Sequence, residues 1–170
     1  MSKTLILFRH AKSDWDSDTG LDHDRPLANR GIKAAKAMGK LLTEVGHPPE
    51  LAISSTAVRA RTTLELAVKG GDWPCRTETD ERLYESNPPA AVKFIHALPR
   101  DVSSVMLVGH EPTWSELTSL LTGGVTVRFP TAAMVRIDFA GESWSAIQPG
   151  AGELVWFIPP RFITDGNLQL

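Results

Sequence analysis

Cysteine is almost missing from this chain. Cys75 is the only one in 170 residues, so no intrachain disulfide framework can form. No apolar run approaches the ~18 residues needed to cross a bilayer, which argues against a membrane protein. A basic surplus is also lacking, since 18 Lys and Arg stand against 20 Asp and Glu, a net charge of −2. Proteins that grip a nucleic-acid backbone usually carry a strong positive excess, so neither a nucleic-acid nor a membrane partner is expected. The apolar run at residues 5–8 is too short for the core of a secretory signal, and a soluble cytoplasmic protein is the expectation. No internal repeat, linker or low-complexity block interrupts the chain.

What is present fits one globular unit. With 42% hydrophobic and 22% charged residues, the composition excludes disorder. A chain of this length buries roughly 70% of its unfolded surface, enough for a core without staples. A single domain over 1–170 is therefore expected.

Hydrophobic patterning predicts a strand over 3–8, because Leu5, Ile6, Leu7 and Phe8 are continuous. Ile32, Ala35, Met38, Leu42 and Val45 mark one helix face, stopped by Gly46 and Pro48-Pro49. A second buried strand follows at 51–54, and Ser54-Ser55 could cap a helix with Ala57, Ala60, Leu64 and Ala67 inward. Pro89 suits the first turn of another helix, with Ala91, Phe94, Ile95 and Leu98 inward. A third strand is predicted at 104–108. Thr113 and Glu116 form a capping-box pattern opening a helix through Leu121, ended by Gly123-Gly124. The tail alternates at 133–139, turns at Gly141-Glu142, and predicts a partner strand at 144–147 and a last one at 154–158. Strand–helix alternation followed by a β-rich tail gives an α/β fold with a mixed sheet.

At three strand ends polar groups appear at once. Phe8 is followed by Arg9-His10, Ser54 by Ser55 and then Arg59, and Val108 by Gly109-His110. Ligands of open α/β sheets bind beyond the carboxyl ends of strands, so parallel neighbours would converge two His and two Arg on one site. Guanidinium forks match the oxygens of a phosphoryl group, and Ser55 at a helix start would add backbone donors. Arg59 and Arg61 lie about 200° apart around a helix, so one faces the site; Arg59, nearer the start, is the choice. Phosphoryl transfer with a His nucleophile is the chemistry these groups suit.

These residues resemble the histidine phosphatase superfamily, whose fold is phosphoglycerate-mutase-like. Leu7-Phe8-Arg9-His10 with Ser13 and Trp15 is similar to its Arg-His-Gly signature. Asp24-Arg25-Pro26-Leu27 with Gly31, then Ser55 through Arg59-Ala60 to Thr63, then Val108-Gly109-His110 with Pro112, and Thr131-Ala132, match further blocks in order. The small size and the short stretch between Glu81 and Ser104 resemble the SixA-type phosphohistidine phosphatases, which lack a large cap. The resemblance implies a three-layer sandwich around a mostly parallel mixed sheet. It also implies a covalent phosphohistidine intermediate on His10, with Arg9, Arg59 and His110 holding the phosphoryl oxygens. Ser13, Arg25 and Ser55 would bind substrate, and no metal or cofactor is implied. Arg25 has a second reading, a structural ion pair with the nearby Asp residues.

Two positions depart from the family pattern. Ala11 stands where the signature usually has Gly, which requires a backbone that avoids positive φ. Glu81 falls about where a catalytic acid belongs, with Glu85 a weaker counterpart; whether it reaches the site decides whether a poor alkoxide leaving group can be protonated. The expected substrate is a phosphorylated protein bearing phosphohistidine or a small phosphorylated metabolite such as a sugar phosphate or nucleotide. Other classes are a non-catalytic phosphate-binding module and a metal-dependent hydrolase with histidine ligands. His23, His47 and His96 read as structural, residues 14–24 as a solvated acidic loop, the tryptophans as core or rim packing, and Cys75 as inert.

Overall fold

The computed structural model describes residues 2–164. Six strands form one sheet: β1 (Ser2–Arg9), β2 (Leu51–Ser54), β3 (Arg76–Thr79), β4 (Ser104–Gly109), β5 (Met134–Ala140) and β6 (Gly152–Ile158). Their order is β3-β2-β4-β1-β5-β6. β3, β2, β4 and β1 are mutually parallel, and β5 and β6 are antiparallel additions. Helices α1 (Asn29–Glu44), α2 (Val58–Gly71), α3 (Pro88–His96), α4 (Thr113–Thr122) and α5 (Arg161–Thr164) complete the chain.

The continuous apolar runs of β1 and β4 are explained by burial on both faces. Leu5, Leu7, Val105 and Leu107 pack with Phe94, Trp114 and Leu117 of α3 and α4. Ile6, Phe8, Met106 and Val108 pack on the other face with Met38, Ala60 and Leu64 of α1 and α2. The result is the expected three-layer α/β sandwich with a mostly parallel mixed sheet, and no large cap interrupts residues 81–104.

Four local expectations are corrected. Residues 144–147 are not a strand: Trp144–Ala146 is a 3-10 helix, and the partner of β5 is β6, with Met134 opposite Ile158. The cause is Trp144, whose fully buried indole donates a hydrogen bond from Nε1 to the Val102 carbonyl at 2.8 Å. β3 was not expected at all, because Arg76-Thr77-Glu78-Thr79 is exposed throughout and forms a polar edge without an apolar pattern. Ser54-Ser55 does not cap α2, which begins later, behind Ala57. Thr113 does not cap α4 either. It is the helix's first residue, and its hydroxyl donates to the Ser86 carbonyl instead. Glu111 takes the capping role, its Oε1 accepting from the Ser115 N–H at 2.8 Å.

Candidate active site

The parallel strands point their carboxyl ends at one place. His10 leaves β1, Ser55 leaves β2 and His110 leaves β4, and backbone bonds lock these exits together. His10 N–H donates to the Gly109 carbonyl at 3.0 Å and Ser55 N–H to that of Val108 at 2.9 Å. The loop before β5 closes the other side, where Ala132 N–H donates to the His10 carbonyl at 3.0 Å. Gly109 is required here. A Cβ on it would lie 2.5 Å from Cζ2 of Trp114, whose Nε1 in turn donates to the Phe8 carbonyl at 3.0 Å.

A pocket of about 210 Å³ opens between these exits, lined by Arg9, His10, Ser13, Arg25, Arg59 and His110 among others. Six expected residues are thus brought together. A larger groove of about 510 Å³ between α2 and β3 lines up Arg61, Glu65 and Glu78 but no histidine, so size alone does not locate the chemistry. Arg59 is buried and faces the pocket, while Arg61 is exposed and donates from Nε to the Thr56 carbonyl.

The His10 ring is held in one tautomer. Its Nδ1 lies 2.8 Å from the Ala11 carbonyl, which can only accept, so Nδ1 carries the proton and Nε2 keeps its lone pair. Burial, helped by His110 and the guanidiniums of Arg59 and Arg9, pushes this imidazole down to about 3, although the Ala11 carbonyl opposes the shift. It is therefore neutral across the physiological range.

His110 has the opposite tautomer. Arg59 Nη2 lies 3.4 Å from its Nδ1 and can only donate, so Nε2 carries the proton and donates to Ser55 Oγ at 2.8 Å. Burial and Arg59 hold His110 down to about 4. The two imidazoles sit 5.2 Å apart between ring centres. Ser55 lies behind His110 as its orienting partner and does not itself line the pocket.

Two guanidiniums face the histidines. Arg9 donates from Nη1 to the Phe129 carbonyl at 2.8 Å, and its acidity is raised chiefly by burial, against the opposing charge of Glu111. Both arginines line the pocket, where guanidinium groups suit the oxygens of an anion; among the described residues their buried Nε atoms have no hydrogen-bond partner. Arg25 donates to Ser13 Oγ and stacks its guanidinium 3.6 Å above the ring of Trp15, which stands 70% exposed at the rim.

Sequence reasoning did not single out Asp22, Glu111 or Lys12, and it named Thr131 only as part of a family block. Asp22 organises the arginines: Oδ1 accepts from Arg25 at 2.7 Å, and Oδ2 from Arg59 at 3.0 Å and Tyr84 at 2.9 Å. These bonds, Arg25 first, hold its carboxyl well below the usual carboxylate range. The Arg25–Asp ion pair weighed from sequence is therefore present, in an arginine that also lines the pocket. Glu111 lines the pocket, with both carboxylate oxygens accepting from Ser115 at 2.8 Å. Glu81 is not brought in. It opens a 3-10 helix (Glu81–Leu83), is exposed, and is absent from the pocket lining. Among the described residues no group of three or more His, Cys, Asp or Glu side chains is arranged to hold a metal ion.

Residues 5–91 match the profile of the histidine phosphatase superfamily, branch 1. The chain belongs to the histidine phosphatase superfamily. It is similar over most of its length to a Mycobacterium tuberculosis protein of uncharacterised function, Rv1276c, at 37% identity over 163 residues, covering 90% of this chain and 99% of that one. A structure assigned to phosphohistidine phosphatase SixA, from Nakamurella multipartitia, superposes with a TM-score of 0.81 at 25% identity, covering 94% and 97% of the two chains. Another, from Agrobacterium tumefaciens, gives 0.79 at 26% identity, covering 93% and 98%. This histidine phosphatase meets the condition set by Ala11. Outside glycine, the only positive φ angles among the described residues are at Asp72, Glu85 and Ala132, so the Ala11 methyl is unstrained.

Proposed function

We propose that this histidine phosphatase acts in the cytoplasm on protein phosphohistidine, without a metal, through a covalent intermediate on His10. The carrying observation is how the carboxyl groups around the pocket are disposed. Asp22 is held ionised by two arginines and a tyrosine, Glu111 has both oxygens engaged by Ser115, and Glu81 lies outside. None is set to protonate an alkoxide. A phosphohistidine leaves as imidazole, which needs no such acid.

In the first step the Nε2 lone pair of His10 attacks phosphorus, and the substrate's N–P bond breaks. The substrate reacts with its other ring nitrogen protonated from solvent, so the departing imidazole leaves neutral. Arg9 and Arg59 hold the oxygens on which charge shifts in the transition state, while His110, engaged by Arg59 on one ring nitrogen and Ser55 on the other, lies against His10 and keeps Arg59 in place. Ser13 and Arg25 keep the mouth of the cradle in shape. Water then attacks the phosphorus on His10, the Nε2–P bond breaks, both water protons leave with the phosphate, and His10 returns to its Nδ1–H form.

The test is a rapid-quench trap with phosphohistidine-labelled protein, comparing wild type with His10→Ala in the presence of EDTA. The expected result is acid-labile, base-stable label on wild type alone, with phosphate release unaffected by the chelator. Faster turnover of a sugar phosphate than of the labelled protein would reject the substrate assignment. Loss of activity in EDTA would reject the metal-free mechanism.

A further inference from the structure

The catalytic pocket does not end at its own walls. Lys12 and Thr131 also line an adjoining groove of about 480 Å³, and Pro130, Pro159 and Arg161 are shared between that groove and another of about 450 Å³. The floor and sides are apolar and stiff, built from prolines with Ala34 and Phe157. The charged groups are all of one sign. Lys12, Arg30, Lys33, Arg161 and Arg128 line the two grooves, and no Asp or Glu does. Among the described residues none of these five cations has a carboxylate within ion-pair distance.

Two further features argue that this charge is directed at something outside the chain. Arg30 and Lys33 sit in the opening turns of α1, whose first turn contains no acidic residue, and cations there oppose the helix dipole. Helix stability does not explain them. The loop that reaches the catalytic pocket through Ser13, Trp15 and Arg25, by contrast, carries Asp14, Asp16 and Asp18. The pocket thus meets an acidic loop at Ser13 and Trp15 and a basic trough at Lys12 and Thr131. A small phosphorylated metabolite would fill only the first cavity, whereas a polypeptide would run through all three.

We propose that the trough past Lys12, Arg30, Lys33 and Arg161 holds an acidic segment of polypeptide adjoining the phosphohistidine of the substrate protein. The proposal rests on the phosphohistidine reading above and adds which protein surfaces are accepted. Acidic side chains on the substrate meet the cations while the phosphoryl group occupies the cradle, and the Asp-rich loop repels the reverse orientation.

The experiment compares two phosphohistidine peptides of equal length, one with Asp and Glu flanking the modified residue and one with Ser and Gln. Each is given to wild type and to the exposed triple variant Arg30→Ser, Lys33→Ser, Arg161→Ser. The expected outcome is about a tenfold preference of wild type for the acidic peptide in kcat/KM at low salt. The variant should lose that preference through KM, with kcat unchanged and the neutral peptide unaffected, and salt should erase the preference in wild type. Equal turnover of both peptides by wild type, or equal losses for both in the variant, would overturn the proposal. If neither peptide is hydrolysed while a sugar phosphate is, the phosphohistidine reading fails by itself. The trough is then read from inhibition of that reaction by the unphosphorylated acidic peptide: inhibition lost in the triple variant retains the site, and no inhibition removes it. A bisphosphorylated sugar that loses affinity in the variant when the acidic peptide does not would overturn the polypeptide occupant.

Discussion

In the parallel half of the sheet, β2, β4 and β1 run toward the pocket and release Ser55, His110 and His10 as they end. In the antiparallel half β5 runs away from it, so Phe129, Thr131 and Ala132 meet the site before their strand begins. The halves also differ in what they bring. The parallel half supplies side chains with lone pairs and charge. The antiparallel half supplies mainly carbonyls and amides that hold those side chains: the Phe129 carbonyl for Arg9, the Ala132 amide for the His10 carbonyl. Strand direction thus separates the pocket's charged and lone-pair side chains from the backbone groups that hold them.

The sharpest way to break this division is to remove the proposed nucleophile. His10→Asn should lose at least ~10³-fold in phosphate release, and the trapped label with it. Retained label would place the reacting group elsewhere. Next in size, Arg59→Ala should lower kcat/KM by about 10²-fold, while Arg61→Ala changes it less than about threefold. Equal losses would contradict their opposite facing on α2. A substitution in the antiparallel half, Thr131→Val, should cost less than about tenfold, and a loss matching that of Arg59→Ala would erase the distinction between halves.

Two effects on stability should follow. Gly109→Ala forces a Cβ against the Trp114 indole and should cost about 1–3 kcal/mol in denaturant unfolding. The second depends on pH. His10 and His110 have folded values of about 3 and about 4, below the ordinary value of 6.5, so the unfolded chain binds protons more readily. Stability present above pH ~6.5 should therefore decline as pH falls toward those folded values, and Tm should fall less steeply in His10→Asn. The smallest expected effect is that of Glu81→Gln, within about twofold on phosphohistidine.

β1, β2 and β4 were readable because burial on two faces demands unbroken apolar runs, and each run ends abruptly in Arg9-His10, Ser55 or Gly109-His110. Arg59 followed from helix periodicity. The rest depended on contacts that leave no local trace. Asp22 is one Asp in an acidic loop, and only the fold brings it to Arg59, 37 residues away. Glu81 has the local appearance of an acid, yet its 3-10 helix leaves it exposed to solvent. Polar β3 carries no apolar alternation to announce it, and the fully buried Trp144 overrode the expected strand.

The carbonyl of Ala11 has a chemical consequence beyond holding a ring in place. By keeping the proton on Nδ1 of His10, it leaves only the far ring nitrogen to bond phosphorus. One positional isomer of the modified enzyme should then form, τ-phosphohistidine and not π. An isomer-selective antibody or ³¹P spectrum of the quenched enzyme should register one species where free histidine, phosphorylated chemically, gives two.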